Sequence, residues 1–419
     1  MLNKDGTREL AYVVAIDRIE PIQGSDNCEA AVVGGWRVMV RKGTFKAGDL
    51  AIYFEIDSKL DTNKPEFAFL EKKHGNIKTQ KYTFGGKGLM ISQGLLMAAE
   101  DFGWKVVTTP VTKYIDTGEG ANSGLEEGAF LTQRLGVTYA DAADNKRKAN
   151  SQDKYKRMAS RRPKLFKNPI IRKIYKTKFG KKILFFFFGK KKDRDTAKDW
   201  PIGRFPGVTK TDQERCENMP WILEDKTPFI VTQKCDGSSG TYILEKKGKN
   251  KFEFYVCSRN VRMKNKEQEC FYGTRNYYWE VAEKYHIQEK MEKWLIENDA
   301  DWVCWQGEIC APGIQKNPHH LKDTHFYCFH WTDSINGRLD IVKANELWKN
   351  LFMEVVPIVD TNYILPDNFE DFKLSADGYY DSQVCEGYMD CPREGFVYYK
   401  TTDPTFSFKN VSRQYLLKH

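Results

Sequence analysis

Over residues 8 to 140 the apolar positions come in short runs broken by turn residues. Ala11-Tyr12-Val13-Val14-Ala15-Ile16 reads as one strand and Ala30-Ala31-Val32-Val33 as another. Gly34-Gly35 supplies a tight turn into Trp36-Arg37-Val38-Met39-Val40, which alternates in the manner of a half-buried strand. Lys46-Ala47-Gly48-Asp49 turns the chain again, into Leu50-Ala51-Ile52-Tyr53-Phe54-Glu55-Ile56. Short strands at this spacing predict a small all-β barrel. The order of elements fits an OB-like barrel, a scaffold that often holds nucleic acid, and other small barrels share the same pattern.

From Trp200 onward the apolar runs lengthen and a helical period joins them. Phe229-Ile230-Val231, Gly240-Thr241-Tyr242-Ile243-Leu244, Phe252-Glu253-Phe254-Tyr255-Val256, Trp302-Val303-Cys304-Trp305 and Phe326-Tyr327-Cys328-Phe329 read as strands. Tyr277 to Glu297 reads as a helix, with Val281, Tyr285, Met291 and Leu295 apolar and charges between them. This is an α+β pattern of antiparallel strands with helices packed on them. Residues between the two parts show neither period, and Asn168-Pro169 and Gly189 punctuate them, leaving room for a short amphipathic helix. The chain therefore divides into a 1–140 module, a 141–199 linker and a 200–419 domain.

Composition agrees with two globular parts: 419 residues, 41% hydrophobic, with ten tryptophans for cores. Met1-Leu2-Asn3-Lys4-Asp5 is polar, so no secretory segment is expected there. The longest apolar run, Ile183-Leu184-Phe185-Phe186-Phe187-Phe188, is far too short to span a bilayer. The ten cysteines include no Cys-x-x-Cys pair and read as reduced thiols of an intracellular, cytoplasmic protein, expected as a monomer. Net charge is +9, but Lys146 to Arg194 alone holds twenty Lys or Arg against Asp153 and Asp193. That segment carries about +18, which leaves the rest of the chain near −9. It reads as a solvated linker, as an arm for a nucleic acid, or, given its phenylalanines, as a membrane contact. A linker that also touches nucleic acid is the preferred reading.

Candidate chemistry begins at Val231-Thr232-Gln233-Lys234-Cys235-Asp236-Gly237-Ser238-Ser239-Gly240. An apolar, β-branched run delivers a lysine to a turn, which suits an amine that attacks phosphorus. Lysine becomes a nucleophile only when burial or a neighbouring cation removes its proton. A strand end supplies the first and a metal the second. Gly237 lets a ligand approach the backbone, and the serines offer donors to phosphate oxygens. Further polar groups follow at strand ends. Ser258-Arg259-Asn260 offers a forked guanidinium for phosphate or ribose. Gly307-Glu308 puts a carboxylate where a ribose hydroxyl fits, and Phe329 is an aromatic that can stack on a base. Glu394-Gly395 sets a carboxylate before a strand, suited to metal-bound waters, and Phe406-Ser407-Phe408-Lys409 a lysine suited to an α-phosphate. Taken singly, each is an ordinary solvated strand end; five in order are hard to explain that way.

In that order the chain resembles the covalent nucleotidyltransferase superfamily of ATP-dependent DNA ligases, RNA ligases and mRNA capping enzymes. It is most similar to the Naegleria-type RNA ligases, in which an OB module precedes the nucleotidyltransferase domain (ATP-grasp-like, with antiparallel sheets). Ile19-Glu20-Pro21-Ile22-Gln23-Gly24-Ser25-Asp26, Gly48-Asp49-Leu50-Ala51-Ile52-Tyr53 and Ser92-Gln93-Gly94-Leu95 carry the likeness in the module. Lys210 to Asn218, Gly313-Ile314-Gln315-Lys316-Asn317 and Ser407 to Leu416 carry it in the domain. The resemblance implies that neutral Lys234 attacks the ATP α-phosphorus to give lysyl-AMP. AMP then passes to an RNA 5′-phosphate, and a 3′-hydroxyl displaces it, a reaction of RNA repair. It further implies Gln233, Asp236, Gly237, Arg259, Glu308, Phe329 and Lys409 as nucleotide-binding residues. Asp236 and Glu394 would hold a divalent metal, Mg or Mn, through bound waters, and the partners would be RNA ends, including nicked duplex. Two positions depart from the family. Gln233 stands where a glutamate is usual and is expected to accept from the adenine amino group. Ser407 replaces the first of two lysines, so one phosphate contact comes from elsewhere or is missing.

Two other readings remain open. A capping guanylyltransferase shares these motifs but normally carries its OB domain after the catalytic domain, as do DNA ligases. A nucleic-acid-binding protein with a degenerate nucleotidyltransferase fold is argued against by retention of Lys234, Asp236, Glu308, Glu394 and Lys409. His319, His320, His325 and His330 match no zinc spacing and read as loop and strand residues. Tyr82, Phe84, Lys78, Lys81 and Lys87 fit RNA contact and ordinary surface equally.

Overall fold

In the computed structural model, residues 1–84, 88–120, 123–140, 168–188, 201, 203–249, 251–268, 270, 272, 275–385 and 391–418 are described. The four strands expected in the module form at Ala11–Ala15, Cys28–Val33, Trp36–Arg41 and Leu50–Phe54. Ala11–Ala15 and Leu95–Met97 flank Leu50–Phe54, and Cys28–Val33 lies between Arg18–Pro21 and Trp36–Arg41. Leu50–Phe54 is buried along its whole length, so it serves two apolar clusters at once. Ile52 and Phe54 pack with Phe67 and Trp104, while Ala51 and Tyr53 pack with Trp36 and Val38. Short strands at Lys105–Thr108 and Lys113–Asp116 add Ile115 to the first cluster and pack Val106 against it.

Two five-stranded sheets make up the second part. One runs Glu214–Arg215, Asp403–Val411, Gly395–Lys400, Phe229–Gln233, Ile358–Tyr363, and the other Lys251–Ser258, Ser238–Gly248, Trp302–Cys310, His325–Asp333, Gly337–Arg338. All these ladders are antiparallel except Glu214–Arg215 on Asp403–Val411. The expected helix from Tyr277 to Glu297 is two helices, Tyr277–Lys284 and Ile287–Asn298. The break lies at His286, which is left-handed with φ 50°. Its cause is packing. In an unbroken helix Ile287 would lie about 240° round from Val281, yet Val281, Ile287, Met291 and Leu295 all face one core with Trp305 and Trp331.

The two parts are tied by the N-terminal segment and by the Gly34-Gly35 turn. Leu2 donates its N–H to Asn218 O at 2.6 Å and accepts from Trp221 Nε1 at 2.7 Å. Arg8 bridges Glu55 of the barrel (3.1 Å) and Glu214 of the domain (2.9 Å). Gly35, with φ 84°, lies under the Phe369 ring; a Cβ there would come within 2.3 Å of it. In the linker, helices form at Pro169–Tyr175 and Lys178–Phe188. The rest of the basic segment, and Lys87, lie outside the described residues.

Beneath the first sheet, helix Phe369–Ser375 inserts Lys373, which is 1% exposed. Its ammonium donates to Glu217 Oε1 at 2.7 Å, Asn410 Oδ1 at 2.8 Å and Val411 O at 3.1 Å. Burial alone would raise the Glu217 pKa, but Lys373 and Arg215 outweigh it and hold it at about 2. The pair's contribution is therefore complete above the ordinary carboxylate range and lost as pH falls toward 2. Lys373→Met leaves Glu217 buried without its partner and is expected to destabilise the protein by about 3–5 kcal/mol at neutral pH, read by denaturant unfolding.

Candidate active site

Phe229–Gln233 is rich in β-branched and aromatic side chains and is buried at every position, between strands Gly395–Lys400 and Ile358–Tyr363. It ends at Gln233, and the chain crosses to the other sheet through Lys234-Cys235-Asp236-Gly237. Ser239 then pairs with Glu308. Gly237 is required at this crossing, because a Cβ would sit 2.3 Å from Ile309 O. The crossing forms one wall of a cavity of about 380 Å³. Gln233, Lys234, Asp236, Gly237, Arg259, Glu308, Phe329, Glu394 and Lys409 all line it. Every site residue expected from sequence is thus brought together, from segments more than 150 positions apart.

Lys234 Nζ lies 2.8 Å from Glu394 Oε2. Burial pushes the amine's pKa down, but Glu394, Glu308 and Asp236 together outweigh it and hold the pKa above lysine's ordinary value. The carboxylates resist one another. Burial, with Glu394 and Asp236 adding repulsion, pushes Glu308 up to about 8 against the pull of Lys234. Burial and then Glu394 push Asp236 up to about 6, although Tyr415 donates its hydroxyl to Asp236 Oδ2. One Glu308 oxygen also accepts from the Gly237 N–H at 3.1 Å, so Glu308 braces the turn as well as facing the cavity. On the far side, burial and the Lys234 and Arg215 cations push Lys409 down to about 8.

Asp236, Glu308 and Glu394 line the cavity with hard carboxylate oxygens, the donor type that suits a divalent cation. Among the described residues no cluster of three or more His, Cys, Asp or Glu side chains forms a direct metal cage.

Gln233 lines the cavity with its amide already engaged. Its Oε1 already accepts from the Asp381 N–H at 2.8 Å, and its buried Nε2 has no partner among the described residues. The amide oxygen thus has one of its two acceptor positions filled from within the protein. The cavity also includes residues that the motifs did not single out. Arg215 lies beside Lys409 in the parallel pair, and its buried Nη1 has no partner among the described residues. It is a second cation near Lys409, where Ser407 left one wanting. Asp212 ion-pairs with Arg259 at 2.5 Å, and Gln315 completes the rim. Arg215 and Asp212 belong to the Lys210–Asn218 segment that already carried family likeness, and that was their signal. Of the histidines, His320 is in a loop, His325 opens a strand and His330 is buried within it, as expected. His319 is different: its Nε2 lies 3.1 Å from the Asp236 backbone nitrogen.

As a phosphate ligand Lys409 would have to be protonated, and burial with the Lys234 and Arg215 cations pushes its pKa down to about 8. Binding of a nucleoside triphosphate therefore takes up a proton above that pH, and affinity falls as pH rises. We expect affinity about tenfold weaker at pH 9 than at pH 7.5. Lys409→Arg, which keeps its charge, should flatten the dependence, as measured by equilibrium nucleotide binding.

Residues 227–416 match the RNA ligase family model, and residues 10–99 match an OB-fold domain model. No curated protein sequence gives a significant match. Among solved structures the chain is similar to the Naegleria gruberi RNA ligase. An apo lysine-to-alanine mutant of that enzyme gives a TM-score of 0.58 at 26% identity, over 99% of this chain and 99% of that one. A glutamate-to-alanine mutant with AMP and Mn gives 0.57 at 26% identity, over 98% and 99%. The enzyme with PPi gives 0.55 at 26% identity, over 99% of each. With an OB fold ahead of an RNA ligase domain, matched end to end by these structures, the chain belongs to the RNA ligase family and is of the Naegleria type.

Proposed function

We propose that the cavity catalyses ATP-dependent sealing of RNA 3′-hydroxyl and 5′-phosphate ends through lysyl-AMP and RNA-adenylate intermediates. The observation that carries this reading is the convergence of Lys234, Asp236, Glu308, Glu394 and Lys409 on one cavity of nucleotide size. The relatives' ATP, AMP and Mn complexes support the choice of nucleotide and metal.

In the first displacement the Lys234 ammonium gives up a proton to water, and the neutral Nζ forms a bond to the α-phosphorus as the bond to pyrophosphate breaks. In the second an RNA 5′-phosphate oxygen takes the AMP and releases Lys234. In the third a 3′-hydroxyl attacks the RNA 5′-phosphate and AMP leaves. Glu394 anchors the Lys234 ammonium and fixes where the amine stands before the reaction. In this reading Lys409 and Arg215 neutralise phosphate oxygens and Phe329 stacks on the base, and all three line the cavity. A divalent cation held through waters on Asp236 and Glu394 supplies positive charge beside the amine and offsets charge developing on the phosphates.

In this reading residues 1–140 are the OB module, 141–199 the basic linker and 200–419 the adenylylation domain of a monomer. The module and linker supply contacts to RNA, nicked duplex included, and the role is RNA repair. An intracellular, cytoplasmic setting accords with the ten cysteines, none of which is in a disulfide. Among the described residues no helix is long and apolar enough to cross a membrane.

Incubation with labelled ATP followed by denaturing electrophoresis should give a protein–AMP band, and Lys234→Ala should abolish it. Labelling by GTP alone would favour a capping enzyme, and labelling by neither a binding protein. On nicked substrates of equal sequence, we expect RNA 3′-hydroxyl and 5′-phosphate ends to be sealed faster than an all-DNA nick.

A further inference from the structure

The turn carrying Lys234 leaves one sheet and enters another within a few residues, so its backbone amides need partners from outside any ladder. The Lys234 N–H donates to Gly395 O at 3.0 Å and the Gly237 N–H to Glu308 Oε1 at 3.1 Å. Between them, the Asp236 N–H donates to His319 Nε2 at 3.1 Å. A ring nitrogen that accepts from an amide is the unprotonated one. The other nitrogen, Nδ1, lies 2.9 Å from Val384 O, to which it can only donate. The two contacts therefore select the neutral Nδ1–H tautomer. His319 is 1% exposed, and its ring centroid lies 4.3 Å from that of Tyr380, so the imidazole is held in place on its face as well.

The loop that brings His319 here is itself constrained. It follows strand Trp302–Cys310 and passes through three left-handed residues in succession, Gln315, Lys316 and Asn317, with φ of 47°, 61° and 56°. Such a run costs energy in non-glycine residues and persists only when the surroundings over-determine it. The Asn317 side chain does so by accepting from Leu321 N at 3.0 Å and donating to Leu321 O at 2.8 Å. One end of the loop presents Gln315 to the cavity, and the other presents His319 to the back of the nucleophile turn.

We propose that His319 is a positioning residue for lysine adenylylation: its Nε2 fixes the backbone at Asp236, and so the placement of Lys234 and the Asp236 carboxylate in the cavity. His319 does not line the cavity and touches no substrate in this role; it acts through the turn. The inference rests on the adenylylation reading given above. Loss of the bond leaves a part-buried N–H without its acceptor, and the turn then shifts to find another.

Two amide replacements separate the two contacts. His319→Gln extends its amide to the Nε2 position and keeps an acceptor for Asp236. His319→Asn reaches only the Nδ1 position and keeps the donor to Val384. Single-turnover adenylylation by ATP would be followed below the thermal midpoints of both variants. The Asn variant should lose about tenfold to a hundredfold in rate, with the ATP concentration for half-maximal rate little changed. The Gln variant should retain most of the rate. Equal rates in the two variants, or the greater loss in Gln, would overturn the proposal. The wild type run alongside keeps the readings apart. An adduct in wild type with equal variants removes the role of His319 alone, whereas no adduct in wild type removes the adenylylation reading and this inference with it.

Discussion

The ion pair between Lys234 Nζ and Glu394 Oε2 sets the terms for the rest of the cavity, because it holds a would-be nucleophile as a cation. A lysine at the end of a buried strand would by desolvation alone shed its proton readily. Here three carboxyl groups reverse that tendency, and two of them, Glu308 and Asp236, are themselves pushed up by burial and by their neighbours. The site is thus charged in both directions and at rest in neither. A triphosphate and a hard cation entering together would satisfy both halves, the phosphates meeting Lys409 and Arg215 and the cation the carboxylates.

That arrangement needs backbone precision, and the two sheets supply it. The strand before Lys234 is clamped between Gly395–Lys400 and Ile358–Tyr363, and the strand after it between Lys251–Ser258 and Trp302–Cys310. Only the turn between them lacks a ladder, and its amides are taken by Gly395, His319 and Glu308 instead. Tyr415, from the C-terminal helix, donates to the Asp236 carboxylate. Asp377 holds that helix by accepting from Ser412 Oγ and from the Arg413 backbone N–H. Segments from across the domain therefore converge on one turn of four residues.

The barrel is joined to this site mechanically. Arg8 links Glu55 to Glu214, and Glu214 is the neighbour of Arg215 in the short strand that pairs with Phe408 and Lys409. One guanidinium and a two-residue strand thus connect the module to the cavity's cationic wall. Phe369 over Gly35 and the Arg18–Glu370 contact add a second attachment, through helix Phe369–Ser375.

Local sequence already contained much of this protein. Alternation around Gly34-Gly35 marked the barrel strands because a period of two survives wherever one face is buried. The ordered motifs marked Lys234, Asp236, Glu308, Phe329, Glu394 and Lys409, because a nucleotide needs a definite group at each of its parts. The sequence did not reveal the break at His286, since apolar spacing cannot show which face the tertiary core will demand. Nor did it show that the Gln233 oxygen is taken by Asp381, a residue 148 positions away. The role of His319 was equally invisible: as one of several scattered histidines it matched no ligand spacing, and only the folded loop sets its Nε2 against the nucleophile turn. Groups that touch a substrate leave a signature of residue type and order. Groups that act on the backbone of another segment depend on a long-range contact, and that contact exists only once the two sheets are packed.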